Sequence, residues 1–359
     1  MVDSKQAPLD SAAAAKAAFA SVQDKPFPDD IFTAPELRWA VIGCGVIANQ
    51  MAQSLALAGR KLAGVANRTL SKAQAFAEQY GIEKVYESVE DLYADPGIDA
   101  VYITTPHNTH ITYLRDALAA GKHVLCEKAI TLNSAELDEA RAIADEHNVV
   151  LMDATTVLHM PLYQELRRRM DAGEFGRMNL AQLNFGSYKE YGDLTNRFYN
   201  RNLAGGAMLD IGVYALSVMR LLMASQPIEV VSLGNTCETG VDVAGGIVCR
   251  NAEQQLGVVS LTLHSKQPKR SIISFDKCYI EVNEYPRADH ATIVWTADGH
   301  REEVHAGTEA YALCYEMADL EKAVAGDDSK RELLDYASDV MELMTKLRAD
   351  WGVVYPEEE

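Results

Sequence analysis

Short apolar runs alternate with helical stretches from Leu37 to about residue 152 of this chain. The apolar runs are strand-like in length and composition, and they cover residues 38–42, 62–66, 100–104, 124–126 and 149–152. The stretches with helical periodicity cover residues 46–58, 71–80, 109–120 and 134–147. Strands that alternate with helices are joined by right-handed crossovers and form a parallel sheet. The alternation therefore predicts an α/β domain over residues 37–158.

The pattern changes after Pro161. Helices are predicted over 162–171 and 206–223, and two more close the chain over 310–325 and 331–351. Between them lie long β-type runs at 179–188, 229–237, 245–250, 256–264, 271–275, 279–282 and 291–296. Consecutive strands joined by short turns predict a large, open, mostly antiparallel sheet. Residues 159–359 are therefore expected to form an α+β domain.

Residues 1–36 precede both domains as a leader. An Ala-rich run with strong helix propensity is followed by Pro26, Pro28 and Pro35, which interrupt regular structure. The composition fits a flexible tail. It also fits an arm that packs on the domain or on a neighbouring subunit, and the sequence leaves both interpretations open.

The charge balance excludes some classes of partner. The chain has 33 basic and 52 acidic residues, a formal net charge of −19. A nucleic-acid binder needs a basic face to displace counterions, and an anionic membrane surface repels an acidic chain. We therefore expect no nucleic-acid and no membrane partner, and a small molecule as ligand.

The cysteines indicate the compartment. None of them forms a C-x-x-C pair, and most lie in apolar runs: Cys44, Cys126, Cys237, Cys249, Cys278 and Cys314. Such cysteines are typical of reduced, buried side chains in a cytoplasmic protein.

A glycine turn follows the apolar run 38–42. Its residues have the G-x-G-x-x-A spacing of dinucleotide-binding turns: Gly43, Cys44, Gly45, Val46, Ile47 and Ala48. The first glycine permits the tight turn, the second lets the backbone approach a pyrophosphate, and the alanine permits close helix–strand packing. The next helix offers free N–H groups to phosphates. We predict a dinucleotide site here; the alternative is a tight turn in a flavodoxin-like fold.

The apolar run 62–66 leads into Asn67 and Arg68. An NAD-selective site usually has a carboxylate at this point, which binds the ribose hydroxyls. A guanidinium instead pairs bidentately with the 2′-phosphate of NADP, and Lys72 can donate to the same phosphate. This chemistry favours NADP as the cofactor. If Arg68 only stacks on the adenine, NAD is accepted as well.

The loop after the run 100–104 is expected to cover the cofactor, because ligands of open α/β sheets bind beyond the carboxyl ends of the strands. Its candidate cofactor-binding residues are Thr104, Thr105, Pro106, His107, Asn108 and His110. His107 and His110 are three residues apart, but no third ligand is near in sequence, so we expect no metal. The loop is also expected to cap the next helix through Asn108.

Two further segments carry candidate site residues. Glu127 and Lys128 follow the run 124–126 and are expected to contact the cofactor; an ammonium here can also polarise a carbonyl or hold a hydroxyl oxygen during hydride transfer. The alternative is a surface lysine paired with Glu127. Asp210 and Tyr214 are four residues apart and are expected on one helical face. A nearby ammonium would lower the tyrosine pKa from about 10; the alternative is a buried tyrosine whose hydroxyl bonds Asp210.

Taken together, these motifs resemble the Gfo/Idh/MocA family of oxidoreductases, from about Leu37 to the end of the chain. The glycine turn, Asn67-Arg68, Glu127-Lys128 and the segment 205–214 occur in the family's order. Segments 238–242 and 352–356 match as well. Within the family, the chain looks most like the dimeric dihydrodiol dehydrogenase and NADP-dependent D-xylose dehydrogenase branch.

The resemblance implies a Rossmann domain, tightly held NAD(P), and oxidation or reduction of a sugar, polyol or cyclic diol. It also implies that the open sheet of the second domain forms the interface of a homodimer. Lys128 matches the family's active-site lysine, Tyr214 the acid–base residue of this branch, and Asp210 the accompanying carboxylate. Lys128, Asp210 and Tyr214 are thus expected to contact the substrate. The other candidates, polar residues near the expected cleft, are Tyr163, Lys189, Arg197 and Tyr199.

One residue departs from the family pattern. The family motif is Glu-Lys-Pro, and Ala129 takes the place of the proline. Because a proline restricts its own backbone and that of the preceding residue, Ala129 constrains Lys128 less. This departure is the one sequence feature that favours an alternative, a non-catalytic NADP-sensing regulator that binds a protein partner.

Overall fold

A computed structural model of the chain describes residues 11–22 and 25–359. Its strands are β1 (Trp39–Ile42), β2 (Gly64–Ala66), β3 (Lys84–Val85), β4 (Ala100–Ile103), β5 (His123–Cys126), β6 (Leu151–Asp153), β7 (Met178–Gly186), β8 (Pro227–Thr236), β9 (Asp242–Asn251), β10 (Leu256–Thr262), β11 (Gln267–Phe275), β12 (Cys278–Asn283), β13 (His290–Trp295) and β14 (Arg301–His305). Its α-helices are α1 (Ser11–Val22), α2 (Val46–Leu57), α3 (Leu70–Tyr80), α4 (Val89–Ala94), α5 (His110–Ala119), α6 (Ser134–Glu146), α7 (Pro161–Asp171), α8 (Val213–Leu222), α9 (Ala312–Val324), α10 (Asp328–Arg331) and α11 (Leu333–Asp350).

The first domain contains a six-stranded sheet of order β3-β2-β1-β4-β5-β6. All of its pairs are parallel, which confirms the predicted parallel sheet. The residues of β1, β4 and β6 are buried throughout, as expected for strands with helices on both faces. Ile42 is paired with both Ala66 and Ile103, so the carboxyl ends of neighbouring strands meet at one edge of the sheet.

The edge of this sheet contains elements that the periodicity does not predict. β3 has two residues, one exposed and one partly exposed, and α4 is a six-residue helix. Neither has a long enough apolar pattern to stand out from a loop. The Ser88 side chain caps α4 by accepting from the Asp91 N–H at 3.1 Å.

The second domain contains an eight-stranded sheet of order β14-β13-β12-β11-β7-β10-β9-β8. β10 pairs in parallel with β7, and the other pairs are antiparallel, so the prediction of a mostly antiparallel sheet is confirmed. β14 was not expected, because its sequence REEVH has a single apolar side chain before its final histidine. It completes the sheet by pairing with β13.

The two faces of this sheet are covered differently. One face packs against α8, whose residues are nearly all buried. On β8 and β9 the other face carries exposed apolar side chains: Val231 is 75% exposed, Leu233 83% and Val248 46%. Val231 is the cross-strand partner of Val248, and Val248 is that of Val258 on β10, so the apolar side chains form a continuous strip.

The end of the chain returns to the first domain. On α9, Leu313, Met317 and Leu320 lie in the same apolar cluster as Val41 of β1. Glu321, whose side chain is buried, accepts from the Trp39 Nε1–H at 3.0 Å and pairs with Arg60. The predicted boundary at residue 158 therefore separates the two sheets along the sequence. The core of the first domain, however, also includes α9 from the second half of the chain.

The described part of the leader packs on the folded chain. Val22 and Ile31 are 3% and 4% exposed. The ring of Phe27 lies 4.9 Å from that of Tyr311, and the Arg60 guanidinium lies 4.0 Å from the centroid of Phe32. These contacts are those of an arm rather than of a tail; residues 1–10, 23 and 24 of the leader lie outside the described residues.

Two further observations concern a long apolar helical stretch and the cysteines. By length and composition alone, the helical stretch Arg201–Leu222 could cross a membrane. Of the most apolar segment of this stretch, however, 89% is buried inside the fold, as in the core helix of a globular domain. All six cysteines are free thiols, and four of them are buried.

Candidate active site

The predicted cofactor residues lie at the carboxyl edge of the parallel sheet. Gly43 follows β1, Asn67 follows β2, Thr104 follows β4 and Glu127 follows β5. Adjacent parallel strands end at the same level here, since Ile103 is paired with both Ile42 and Cys126. Ligands of open α/β sheets bind at such an edge, so the fold places these residues where a cofactor would lie.

The glycine turn has the backbone that a dinucleotide requires. Gly43 has a φ of 104°, and a Cβ at this position would lie 2.6 Å from the Thr104 Oγ1. A Cβ on Gly45 would have no atom within 4 Å, so the approach to this backbone is open. The first N–H to bond within α2 is that of Asn49, to the Gly45 carbonyl at 3.1 Å. The preceding N–H groups are left for a ligand, and the turn fits a pyrophosphate.

The end of β2 offers positive charge to the adenosine half of the cofactor. Arg68 is exposed, and within the described residues it forms no ion pair. Lys72 is exposed as well and lies close enough to Cys44, in the glycine turn, to act on its thiol. Asn67 is held by its own side chain, which donates to the Thr69 carbonyl at 3.0 Å. The arrangement fits a phosphate-bearing adenosine.

The loop after β4 contains one histidine that faces the site and one that does not. The half-buried His107 has its Nδ1 3.4 Å from the Ala204 carbonyl. Burial, together with the charge of Lys128, lowers the pKa of His107 to about 3, so this ring is neutral. His110 is fully buried, and its two ring nitrogens contact the carbonyls of Ala129 at 3.0 Å and Thr105 at 2.8 Å. The expectation that His110 binds the cofactor is therefore wrong.

Asn108 differs from the prediction too. Its side chain donates to Glu357 at 2.7 Å and to the Asn202 carbonyl at 3.2 Å, and it makes no cap of α5. The amide thus ties the loop to the end of the chain.

No group of three or more histidine, cysteine or acidic side chains suited to a metal occurs within residues 11–22 and 25–359.

Lys128 and Asp210 form the centre of the site. The Lys128 Nζ donates to the Asp210 carbonyl at 2.7 Å and to its Oδ1 at 3.2 Å. The two side chains are 13% and 12% exposed, so the pair is largely shielded from water. The alternative of a surface lysine paired with Glu127 is wrong. The Glu127 carboxylate instead accepts from the Tyr102 hydroxyl.

Burial and charge act in opposite directions on this pair. Burial alone would raise the pKa of Asp210, but Lys128, followed by Arg197, holds it well below its usual range. Burial alone would lower the pKa of Lys128, yet Asp210 and Tyr214 together raise it. Both groups are therefore ionised near neutral pH.

Tyr214 lies directly beside the ammonium, with its ring centroid 4.9 Å from the Lys128 Nζ. Burial raises the pKa of Tyr214 above its usual value, and Lys128 offsets only part of that rise. The prediction that a nearby ammonium acts on this tyrosine is right in direction, but burial has the larger effect. Among the described residues no group hydrogen-bonds the Tyr214 hydroxyl, so the alternative of a bond to Asp210 is wrong.

The loop after β7 brings two of the four predicted substrate residues to the site. Arg197 donates from Nη2 to the Asp210 Oδ1 at 3.2 Å. Lys189 is close enough to Asp210 to help lower the pKa of that carboxyl. The other two are core residues. The hydroxyl of the buried Tyr163 donates to the Tyr285 carbonyl at 2.7 Å, and that of the buried Tyr199 donates to the Lys189 carbonyl at 2.9 Å.

The segment that carries Asp210 is a π turn, which the sequence pattern does not predict. Residues Met208–Gly212 form a π-helical turn that leads into α8, so the predicted helix 206–223 is not uniform. Such turns are frequent at functional sites because they shift the direction of side chains. The π turn therefore alters the spacing between Asp210 and Tyr214 from that of a regular helix, and both side chains contact Lys128.

Asp242 holds the start of this turn and was missed as a functional candidate. Its Oδ2 accepts from the Met208 N–H at 2.6 Å, while its Oδ1 is buried with no hydrogen-bond partner. A Cβ on Gly206 would lie 2.3 Å from that Oδ1, so the carboxylate needs a glycine there. Asp242 belongs to the family-like segment 238–242, but its role depends on a contact across 34 residues.

The pH dependence of stability tests this role. Burial raises the pKa of Asp242 to about 6, so the folded protein binds this proton more tightly than the unfolded chain. The resulting stabilisation is complete below a pH of about 4 and is lost as the pH rises through about 6. Asp242→Asn removes this titration and keeps an acceptor for Met208. The wild type loses up to about 3 kcal/mol of stabilisation between pH 4 and pH 7, and the variant does not. The free energy of unfolding of the variant minus that of the wild type is therefore expected to rise by this amount over the same range. Urea unfolding at a series of pH values measures it, and a constant difference would contradict the assignment.

Comparison with known proteins agrees with this geometry. Residues 37–155 match the Gfo/Idh/MocA model described as an oxidoreductase family with an NAD-binding Rossmann fold, and residues 163–281 match the GFO/IDH/MocA C-terminal domain. Trans-1,2-dihydrobenzene-1,2-diol dehydrogenase of Mus musculus is 32% identical over 254 residues, which are 69% of this chain and 75% of that protein. The protein of the same name from Sus scrofa is 28% identical over 340 residues, 90% of this chain and 99% of that protein.

Solved structures share the fold. A mutant of KijD10, a 3-ketoreductase from Actinomadura kijaniata in complex with TDP-benzene and NADP, superposes with a TM-score of 0.75 at 23% identity, over 88% of this chain and 98% of that one. Levoglucosan dehydrogenase in complex with NADH and levoglucosan superposes with a TM-score of 0.76 at 20% identity, over 87% and 97%. The fold and the glycine turn thus define a dinucleotide-binding oxidoreductase. The chain belongs to the Gfo/Idh/MocA family of NAD(P)-binding oxidoreductases.

Proposed function

We propose that this protein is an NADP-dependent dehydrogenase or reductase that acts on a carbinol or carbonyl carbon of a sugar, polyol or cyclic diol. The observation that carries the proposal is the contact of the Lys128 Nζ with both the Asp210 carboxylate, at 3.2 Å, and the Tyr214 ring, at 4.9 Å from its centroid. The names of the relatives, which are dehydrogenases of a cyclic diol and of a sugar derivative, support the substrate class.

The chain's own residues supply the acid–base chemistry. When bound, the nicotinamide cofactor supplies the carbon that accepts or donates hydride. In reduction the Tyr214 hydroxyl, which no described group engages, donates its proton to the substrate oxygen, and in oxidation its deprotonated form, the tyrosinate, takes the proton of the substrate hydroxyl. The Lys128 ammonium stabilises both the tyrosinate and the negative charge that develops on the substrate oxygen. Asp210 holds the ammonium in place.

The alternative of a non-catalytic regulator rests on Ala129, and the structure does not favour it. The Ala129 carbonyl contacts the His110 Nδ1 at 3.0 Å. Although the proline is missing, the Lys128 Nζ donates to the Asp210 carbonyl at 2.7 Å. The acid–base residues are thus assembled, which supports turnover.

Substitution of the acid–base residues tests the mechanism. Tyr214→Phe removes the proton-transfer group, and Lys128→Met removes the ammonium, so each is expected to lower kcat by about a hundredfold or more. Lys128 lowers the pKa of Tyr214. In oxidation, the pH at which activity begins to rise should therefore be higher for Lys128→Met than for the wild type. Rates follow from NADPH absorbance with a panel of sugars, polyols and dihydrodiols.

Cofactor binding and a matched variant control this experiment. NADPH fluorescence should show unchanged binding in both variants, and Tyr113→Phe, which removes a hydroxyl on α5, should keep wild-type rates. Near-normal rates in Tyr214→Phe and Lys128→Met would refute the mechanism. Tight NADPH binding with no turnover of any panel member would favour the regulator instead.

NADP preference depends on Arg68, which is exposed at the end of β2. Arg68→Ala removes the guanidinium proposed to pair with the 2′-phosphate, so we expect the KM for NADP to rise about tenfold or more. The KM for NAD should change little, since NAD lacks that phosphate. Arg168→Ala, which removes an exposed arginine of α7, should alter neither constant. A wild-type enzyme that prefers NAD would refute this assignment.

We further propose that the protein is a homodimer joined through the open sheet. The strip of exposed apolar side chains, with Val231 75% and Leu233 83% exposed, supports this because such a patch is rare on a monomer surface. Leu233→Asp would bury a charge in the interface and is expected to give a monomer in sedimentation velocity. Val354→Asp, an exposed valine outside the sheet, should leave the assembly unchanged. A monomeric wild type would contradict the proposal.

A further inference from the structure

Residues 353–359, here called the tail segment, pack on the stretch of chain that leads into the π turn. The hydroxyl of the buried Tyr355 donates to the Gly205 carbonyl at 2.7 Å. The Arg201 Nε donates to the Val354 carbonyl at 2.7 Å. The tail segment is thus joined to the part of the second domain that carries the site.

Glu358 fixes the position of the tail segment. Its carboxylate accepts from the Arg348 Nη1 at 2.9 Å and from the Nη2 at 2.8 Å. It also accepts from the Asn133 side chain at 3.0 Å and from the Tyr355 N–H at 3.0 Å. The Arg348 side chain is 2% exposed, so this bidentate pair is largely shielded from water. Such charge-assisted pairs are strong and directional, and they anchor the tail segment to α11.

The loop after β4, residues 104–109, lies along the cofactor side of the site. At its start, the Thr104 Oγ1 is so close to the glycine turn that a Cβ on Gly43 would lie 2.6 Å from it. Further on, His107 is near enough to Lys128 for that charge to contribute to its low pKa. The loop therefore runs from the glycine turn to the Lys128 side of the site, beyond the carboxyl ends of the strands, where a dinucleotide would lie.

Asn108 connects this loop to the tail segment. Its Nδ2 donates to the Glu357 carboxylate at 2.7 Å and to the Asn202 carbonyl at 3.2 Å. Both contacts use the NH₂ group, so they fix the orientation of the amide. The bond to the charged acceptor is the shorter one, and such bonds are the stronger kind. Glu357 is exposed, and its carboxylate has no other partner in the part of the chain that the structure describes.

We propose that Glu357 is a positioning residue that holds the loop after β4 in its cofactor-binding position, through the hydrogen bond to Asn108. The inference rests on the proposed function, in which a nicotinamide dinucleotide lies along this loop. Glu358 anchors the tail segment, and Glu357 transmits that fixed position to the loop. A loop that is ordered before the cofactor arrives loses less conformational freedom on binding, so the contact strengthens binding.

The affinity of the full chain for NADPH, measured by NADPH fluorescence, tests the inference without requiring turnover. Glu357→Ala removes the acceptor and is expected to raise the Kd about fivefold, which is the typical effect of one hydrogen bond. Glu357→Gln removes the charge but keeps an acceptor for Asn108, and should restore most of the affinity. Glu342→Ala, which removes an exposed glutamate of α11, should leave the Kd unchanged.

Two results would overturn the assignment. One is a Kd of Glu357→Ala equal to that of Glu342→Ala. The other is a Kd of Glu357→Gln as high as that of Glu357→Ala, because the effect would then come from charge and not from the contact with Asn108. A double-mutant cycle adds a third test: once Asn108→Ala has removed the donor, Glu357→Ala should cause no further loss, and additive losses would contradict the proposal.

Hydrogen exchange in the protein without cofactor separates this inference from the proposed function. The Thr109 N–H, which donates to the Pro106 carbonyl at 2.9 Å, is next to Asn108 and reports on the order of the loop. We expect it to exchange about fivefold faster in Glu357→Ala than in the wild type or in Glu357→Gln. Unchanged exchange in Glu357→Ala would overturn the inference even if the protein turns over substrate. A wild type that binds neither NADPH nor NADH would refute the proposed function, while the exchange rates would still decide whether Glu357 holds the loop.

Discussion

The buried contact between Lys128 and Asp210 is the interaction on which the rest of the site depends. Lys128 follows β5 of the parallel sheet, and Asp210 lies in the π turn before α8 of the other domain. With side chains 13% and 12% exposed, each charge has lost most of its water and needs the other. Removing one partner of such a pair commonly costs about 3–5 kcal/mol. The pair therefore joins the two domains at the point where the chemistry is proposed to occur.

The same contact sets the protonation states around it. It keeps Lys128 and Asp210 charged, while burial keeps His107 neutral and Tyr214 protonated near neutral pH. A site with one fixed ammonium beside one neutral hydroxyl is suited to moving a proton and holding an oxygen charge. Asp242, behind the π turn, provides the backbone geometry that this arrangement needs.

The charge of the whole chain is a poor guide to its ligands. A formal net charge of −19 disfavours nucleic acids and anionic membranes, whose fields extend over many residues. Under the proposed function, N–H groups of the glycine turn and the Arg68 guanidinium bind the dinucleotide phosphates at short range, and charges farther away than the screening length contribute little.

By itself the sequence predicted the parallel sheet, the mostly antiparallel sheet and the glycine turn, because periodicity and short spacings operate within a few residues. The expected roles of Lys128, Asp210 and Tyr214 came from the resemblance to the Gfo/Idh/MocA family. It did not predict β3, α4 or β14, whose apolar patterns are too short. Only the tertiary structure decided which polar groups are free. Tyr163 and His110 bond backbone carbonyls in the core, whereas the Tyr214 hydroxyl bonds no described group. The reason is physical: a buried polar group must find a partner, and that partner is set by packing between residues far apart in the chain.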